Sequence, residues 1–239
     1  MRAPEFWARS GILPALLSPV AWIWGFGAKL RQSGAKPTRI GIPVLCVGNL
    51  VAGGAGKTPT ALALGALLKA RGGAPHFLTR GYGGALSGPV RVDLSTHTSA
   101  DVGDEALLLA AAASTWASHD RVAGAREAEV AGATAIVMDD GFQNPKLAKD
   151  LSFVVIDGEY GFGNGRLMPA GPLRESVADG LARAQAVIVI GEDRQGIAAS
   201  LEGQLPVLRA RLEPDESALR LAGRTVLAFA GIARPAKFY

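Results

Sequence analysis

The chain has 239 residues, enough for one large domain or somewhat more, with a sizeable core. Hydrophobic residues at 49% against 19% charged exclude a disordered chain, and the single cysteine, Cys46, excludes a disulfide framework or a multi-cysteine metal site. The formal net charge of +4 is local: in residues 1–43, Arg2, Arg9, Lys29, Arg31, Lys36 and Arg39 face Glu5 alone, so a nucleic-acid groove across the fold is not expected.

The first predicted element is apolar. No charge falls between Gly11 and Ala28, and Trp7, Trp22 and Trp24 lie in or beside this stretch. Its length sits at the lower edge of a membrane-spanning helix, and Pro14 and Pro19 are expected to interrupt the hydrogen-bond ladder. A surface-lying anchor fits the pattern, with tryptophan at headgroup depth and basic side chains on anionic lipid. An apolar helix packed on its own domain, a cleaved signal and a true span are the rival readings. The signal is disfavoured because no small-residue cleavage site precedes Lys29 and Arg31.

Beyond residue 40, apolar runs alternate with amphipathic stretches. Residues 43–48 (PVLCVG), 75–79 (PHFLT), 135–138 (AIVM), 151–157 (LSFVVID) and 186–190 (AVIVI) read as buried strands. Helices are expected over 58–70, 103–113, 124–131 and 176–184. Apolar strands separated by helices predict a parallel α/β sheet covered on both faces. Residues 213–222 read as a hinge before a further strand at 225–230 (TVLAFA), and the expectation is a fragment whose second α/β lobe is truncated. The division expected is therefore 1–36 as a membrane-associated segment, 37–222 as a P-loop NTPase-like domain, and 223–239 as the start of that lobe.

The strand at 44–48 runs into a glycine-rich loop, Gly53, Gly54, Ala55, Gly56, then Lys57, Thr58 and an alanine- and leucine-rich helix. That order is the context of a phosphate-binding loop: backbone N–H groups and a helix N-terminus cradle phosphates, Lys57 adds a point charge, and Thr58 offers a hydroxyl to Mg²⁺. One departure is visible, since Val51 stands where the first glycine of the pattern is usual. A second buried strand ends in Asp139 and Asp140, as a carboxylate-bearing strand serving Mg²⁺ does.

Further strings follow in order: T-R-G-Y-G-G at 79–84, V-G-D-E at 102–105, D-D-G-F-Q at 139–143, G-N-G-R-L-M-P-A-G-P-L-R-E at 163–175 and A-G-I-A-R-P at 230–235. Together with G-G-A-G-K-T-P, they resemble the tetraacyldisaccharide 4′-kinase family over roughly residues 10–239. The resemblance implies transfer of the ATP γ-phosphate, with Mg²⁺, to the 4′-hydroxyl of an acylated glucosamine disaccharide 1-phosphate in lipid A synthesis. It implies a place on the cytoplasmic face of the bacterial inner membrane, peripheral or monotopic, with membrane lipid as a partner. It further implies Asp104 as the residue assisting deprotonation of the acceptor hydroxyl, and Glu105, Asp139 and Asp140, with Thr58, as metal-site residues.

Arg80, Tyr82, Gln143, Asn164, Arg166 and Arg174 are assigned to the acceptor, because arginine forks suit a sugar phosphate; Arg121 is a further candidate. Asn144 departs from the histidine the family usually carries, which removes any proton-carrying role there. The rival readings are a GTPase, a metal-insertion chaperone, or an inactive membrane-recruited fragment. No N-K-x-D string occurs for guanine, and no cysteine or histidine cluster for a metal cargo.

Overall fold

Short apolar runs bounded by loops can bury both faces only within a covered sheet. In the computed structural model, whose described residues are 3–214, 218 and 220–227, a 3-10 turn (Glu5–Ala8) leads into helix α1 (Ile12–Ser33). There follow β1 (Val44–Gly48), α2 (Lys57–Ala70), β2 (Pro75–Thr79), β3 (Val90–Arg91), α3 (Ser99–Val102), α4 (Asp104–Ala110) and β4 (Thr115–Ala117). The chain continues through α5 (Arg121–Val130), β5 (Ala135–Asp139), β6 (Leu151–Asp157), α6 (Val177–Leu181), β7 (Ala186–Ile190), α7 (Ile197–Ser200) and β8 (Val207–Ala210).

The strands form one sheet in the order β3-β4-β2-β5-β1-β6-β7-β8, parallel throughout except where β3 meets β4. Period-two alternation feeds two cores. Cys46, Ile136, Met138, Val154 and Val187 face one layer with Leu50, Phe142 and α5; Val47, Val137, Val155 and Ile188 face the other with Ala61 of α2 and Leu109 of α4. From β1 the chain turns to β2 on one side of the sheet, whereas from β5 it crosses β1 to reach β6 on the other. The C-terminal ends of β1, β5 and β6 therefore meet at a topological switch point, where ligands bind in open α/β sheets.

The expected strands at 75–79, 151–157 and 186–190 lie where the sequence reading put them, and those at 43–48 and 135–138 differ by one residue at an end. Helix ends differ more. The helix expected over 124–131 starts at Arg121, because Asp120 caps it by accepting from the Val122 and Ala123 N–H groups at 2.9 and 3.2 Å. Those expected over 103–113 and 176–184 are shorter, at 104–110 and 177–181. β4 and β8 carried no long apolar run and were not foreseen. The strand expected at 225–230 and the string at 230–235 lie largely outside the described residues; 225–227 carry no strand.

The expectation that Pro14 and Pro19 interrupt the N-terminal helix is corrected: α1 is continuous. Pro14 falls in the first turn, where its missing N–H is no loss, and Pro19 forfeits a single ladder bond. One face of α1 (Pro14, Ser18, Ala21, Gly25 and Ala28, at helical spacing) turns to the body. These residues are small, so the helix sits close; a Cβ on Gly25 would stand 2.5 Å from Leu167 Cδ1. The remaining faces expose Ile12, Leu16, Trp22, Ile23 and Phe26, with Trp22 79% and Ile23 74% accessible. α1 is, by length and composition, the one described helix long and apolar enough to cross a membrane.

Candidate active site

The loop after β1 approaches the site in extended form. Val51 pairs with Leu173 in an isolated antiparallel bridge, and the Ala52 N–H donates to the Pro172 carbonyl at 2.7 Å. This accounts for the missing glycine at Val51: the position is buried, β-paired and needs no unusual backbone. The tight turn falls instead at Gly56 (φ 93°), which caps α2 and presents the helix N-terminus to the loop. A shallow recess lined by residues 51–55, Asp157 and Tyr160 opens beside it.

Lys57 and Thr58 occupy the first turn of α2, facing the end of β5. The Thr58 hydroxyl donates to Asp139 Oδ2 at 2.9 Å, while Asp139 Oδ1 is buried without a hydrogen-bond partner. Burial raises the Asp139 carboxyl to about 6; the Thr58 hydroxyl opposes this, and the nearby Glu105 and Asp140 add to it. An orphaned anionic oxygen among like charges, with a hydroxyl on the other oxygen of the same carboxylate, fits a divalent cation. Asp140, expected as a further metal ligand, is engaged by cations: Arg174 Nη1 lies 2.8 Å from its Oδ1 and Lys57 Nζ 3.7 Å from its Oδ2. Burial would raise Asp140, but Lys57 and then Arg174 outweigh it and hold the carboxyl below the usual range. Its φ of 49° is the one positive value among described non-glycine residues.

Gln143 extends this cluster. Its Nε2 donates to the Asn49 carbonyl at 2.9 Å and to Glu175 Oε1 at 3.0 Å, and its Oε1 accepts from Arg174 Nη1 at 3.3 Å. Glu175 also pairs with Arg183, whose guanidinium lies over the Phe142 ring. Sequence reasoning had no role for Glu175 or Asn49; the only signal was Glu175 closing the P-L-R-E string. Arg121 is buried, its Nη1 donates to the Ser118 carbonyl, and its Nε is unpartnered. Burial, with the Arg80 guanidinium next, lowers it to about 10, while Asp140 and Asp139 pull the other way.

Asp104 and Glu105 open α4 and are exposed, and the segment before them is tied by backbone hydrogen bonds. Ala85 and Leu86 N–H groups donate to the carbonyls of Ala100 and Asp101 at 2.8 and 2.9 Å, and a Cβ on Gly84 would meet the Asp101 carbonyl at 2.5 Å. The R-G-Y-G-G loop and the two residues after it thus brace α3, directly before α4. Arg80 and Tyr82 stand at its surface, Tyr82 79% accessible.

Two expected acceptor residues are not brought to this cluster. Asn164 Nδ2 donates to the carbonyls of Phe6 and Ala170 at 3.1 and 3.0 Å, and Arg166 Nη1 donates to Ser18 Oγ at 2.5 Å, so both tie the 163–174 segment to the N-terminal elements. Asn144 accepts from the N–H groups of Lys146 and Leu147 and so shapes a turn. Cys46 is inert in the core, its thiol pushed up to about 12 by burial.

A parallel sheet whose central strand runs into a glycine loop, with lysine and threonine opening the next helix opposite a buried aspartate, defines a P-loop nucleotide-binding protein. The family described as Tetraacyldisaccharide-1-P 4′-kinase matches residues 13–239. Tetraacyldisaccharide 4′-kinases from Rhodospirillum centenum and Rhodospirillum rubrum are 59% and 58% identical; each match covers 100% of this chain and 73% of the relative. The crystal structure of LpxK from Aquifex aeolicus in complex with ATP superposes with a TM-score of 0.71 at 29% identity, covering 83% of this chain and 64% of that one. The chain belongs to the tetraacyldisaccharide 4′-kinase family.

Proposed function

We infer that this chain transfers the γ-phosphate of ATP to the 4′-hydroxyl of a tetraacylated glucosamine disaccharide 1-phosphate, as its family does. The observation that carries the reading at residue level is the buried, half-unpartnered Asp139 carboxylate facing Thr58 and Lys57 at the mouth of the glycine loop. Residues 53–58 bind the phosphates through backbone N–H groups, and Lys57 sets charge against them. Thr58 and Asp139, with Glu105 and Asp140 near, would hold Mg²⁺, which when bound neutralises phosphate charge. Mg²⁺ needs only one or two protein carboxylates besides phosphate oxygens and water. The lack of any metal-holding group of three or more His, Cys, Asp or Glu among the described residues is therefore compatible with it.

In the transfer, the acceptor oxygen bonds to the γ-phosphorus as the bond to the bridging oxygen of ADP breaks. The hydroxyl proton passes to Asp104 as that bond forms, because an alcohol is too weak an acid to ionise beforehand. Arg80 and Tyr82, on the loop ahead of Asp104, face the acceptor sugar. Arg174 and Gln143 reach the acceptor only through the Asp140 cluster. The exposed apolar faces of α1 lie in the cytoplasmic leaflet of the inner membrane, where an acylated acceptor is met, so that residues 1–36 anchor the domain over 37–222.

The test is phosphoryl transfer to the tetraacyldisaccharide acceptor by Lys57→Ala. Turnover should fall by orders of magnitude in a folded variant, and undiminished turnover would remove the phosphate-loop assignment. A second comparison separates the carboxylates. Asp104→Ala should depress kcat while Mg²⁺–ATP still binds, and Asp139→Ala should also weaken metal-dependent nucleotide binding. If Asp104→Ala lost nucleotide as severely while keeping its chemical step, the two roles would be exchanged.

A further inference from the structure

The segment 163–174 is bonded on one side to the N-terminal elements and on the other to the phosphate site. Towards the N-terminal elements, the Trp7 indole N–H of the 3-10 turn donates to the Pro169 carbonyl at 3.0 Å, and Asn164 and Arg166 make the ties described above, to that turn and to α1 respectively. Towards the site, the Arg174 N–H donates to the Leu50 carbonyl at 2.8 Å, Ala52 bonds Pro172, and Val51 bridges Leu173. Arg174 is where the two sides converge. Its carbonyl accepts from the Trp24 indole N–H of α1 at 3.3 Å, while its guanidinium grips both Asp140 oxygens, at 2.8 and 3.3 Å. Carbonyl and side chain branch from one Cα, so displacement of the indole turns the peptide plane beside the fork.

We propose that Trp24 is a positioning residue of the phosphate site: acting through Arg174, it makes nucleotide affinity depend on how α1 is seated. The inference rests on the reading of residues 53–58 and Asp139 as a Mg²⁺–ATP site, but names a residue on the apolar helix that touches neither nucleotide nor acceptor. Trp22 supplies a control. It is two positions away on the same helix, more exposed than Trp24, and has no hydrogen bond among the described residues. A helix that serves only as an anchor makes the two tryptophans equivalent, whereas a helix that also positions Arg174 makes them unequal.

The experiment is calorimetric titration of Mg²⁺–ATP into the chain and its variants. Trp24→Phe keeps an aromatic ring and loses the indole N–H; it should weaken binding about threefold or more, while Trp22→Phe binds as the wild type does. Arg174→Met removes the fork, and in that background Trp24→Phe should have no further effect, which mere destabilisation would not produce. Thermal unfolding of each variant keeps fold and affinity separate. Equal affinities for wild type and Trp24→Phe, or a Trp24→Phe effect that persists undiminished beside Arg174→Met, would overturn the proposal. Failure of the wild-type chain to bind Mg²⁺–ATP would instead strike the phosphate-site reading, and the inference with it.

Discussion

Asp139 carries the site's tension in a single carboxylate. Its acidity is weakened in the folded chain, to about 6 against 3.8 unfolded, so the folded state holds the proton more tightly between those values. Stability is then greatest below about pH 4 and declines as pH rises through 6, the reverse of the trend from Asp193, whose carboxyl is lowered by the Ala198 and Ile197 N–H groups. Asp139→Asn should therefore stabilise the ligand-free chain at pH 7 by on the order of 2 kcal/mol and not at pH 4. Urea unfolding at the two pH values, compared with wild type, measures the difference. A uniform gain at both would mean that the proton plays no part. Val51 makes a prediction of a different kind. Buried among Leu50, Leu173 and their neighbours, it should cost about 2–4 kcal/mol of stability as Val51→Gly, seen as a lower urea midpoint.

At the scale of elements, the strands were legible because two-sided burial leaves unbroken apolar runs, and β1, β5 and β6 carry such runs. The caps were less so: Asp120 was not recognised as a helix start because Arg121 and Val122 show no amphipathic period. The carboxylate-bearing end of β5 was legible in Asp139 and Asp140, but nothing local revealed that Asp140 bonds Arg174, 34 residues on, or that Asn164 holds the N-terminal turn. Those are long-range contacts with no spacing rule. The brace under α4 yields a test. Gly84→Ala drives a Cβ into the Asp101 carbonyl and displaces the first turn bearing Asp104 and Glu105. Transfer should fall about tenfold or more, and Mg²⁺–ATP affinity, to which only Glu105 of this turn is assigned, should fall less. Deletion of residues 1–30 is a blunt test of the anchor, because it also removes Trp7, Ser18 and Trp24 from the 163–174 segment. Trp22→Glu with Ile23→Glu, both on the outward face, should release the chain from anionic vesicles in a flotation assay while leaving those ties in place; undiminished flotation would locate the anchor elsewhere.

Across the whole molecule, charge and apolar surface are segregated to the same end. The basic excess of residues 1–43 accompanies the exposed faces of α1, and the remainder is near neutral. Vesicle binding should accordingly weaken with salt on anionic lipid and show little salt dependence on neutral lipid, since screening acts on the charges and not on the tryptophans. The packing of α1 inverts the usual mutational economy of a helix on a domain. In a water-exposed helix the large residues are the constrained ones and the outward positions drift towards polar types. Here Gly25 and Ser18 lie close against Leu167 and Arg166 and Ala21 is buried, whereas Ile12, Leu16, Trp22, Ile23 and Phe26 stand exposed. A saturation scan selected for growth should therefore reject any enlargement along the small face and accept most exchanges of one apolar side chain for another along the large one. Over evolutionary time, the residues that dominate the helix by mass would be the ones that wander.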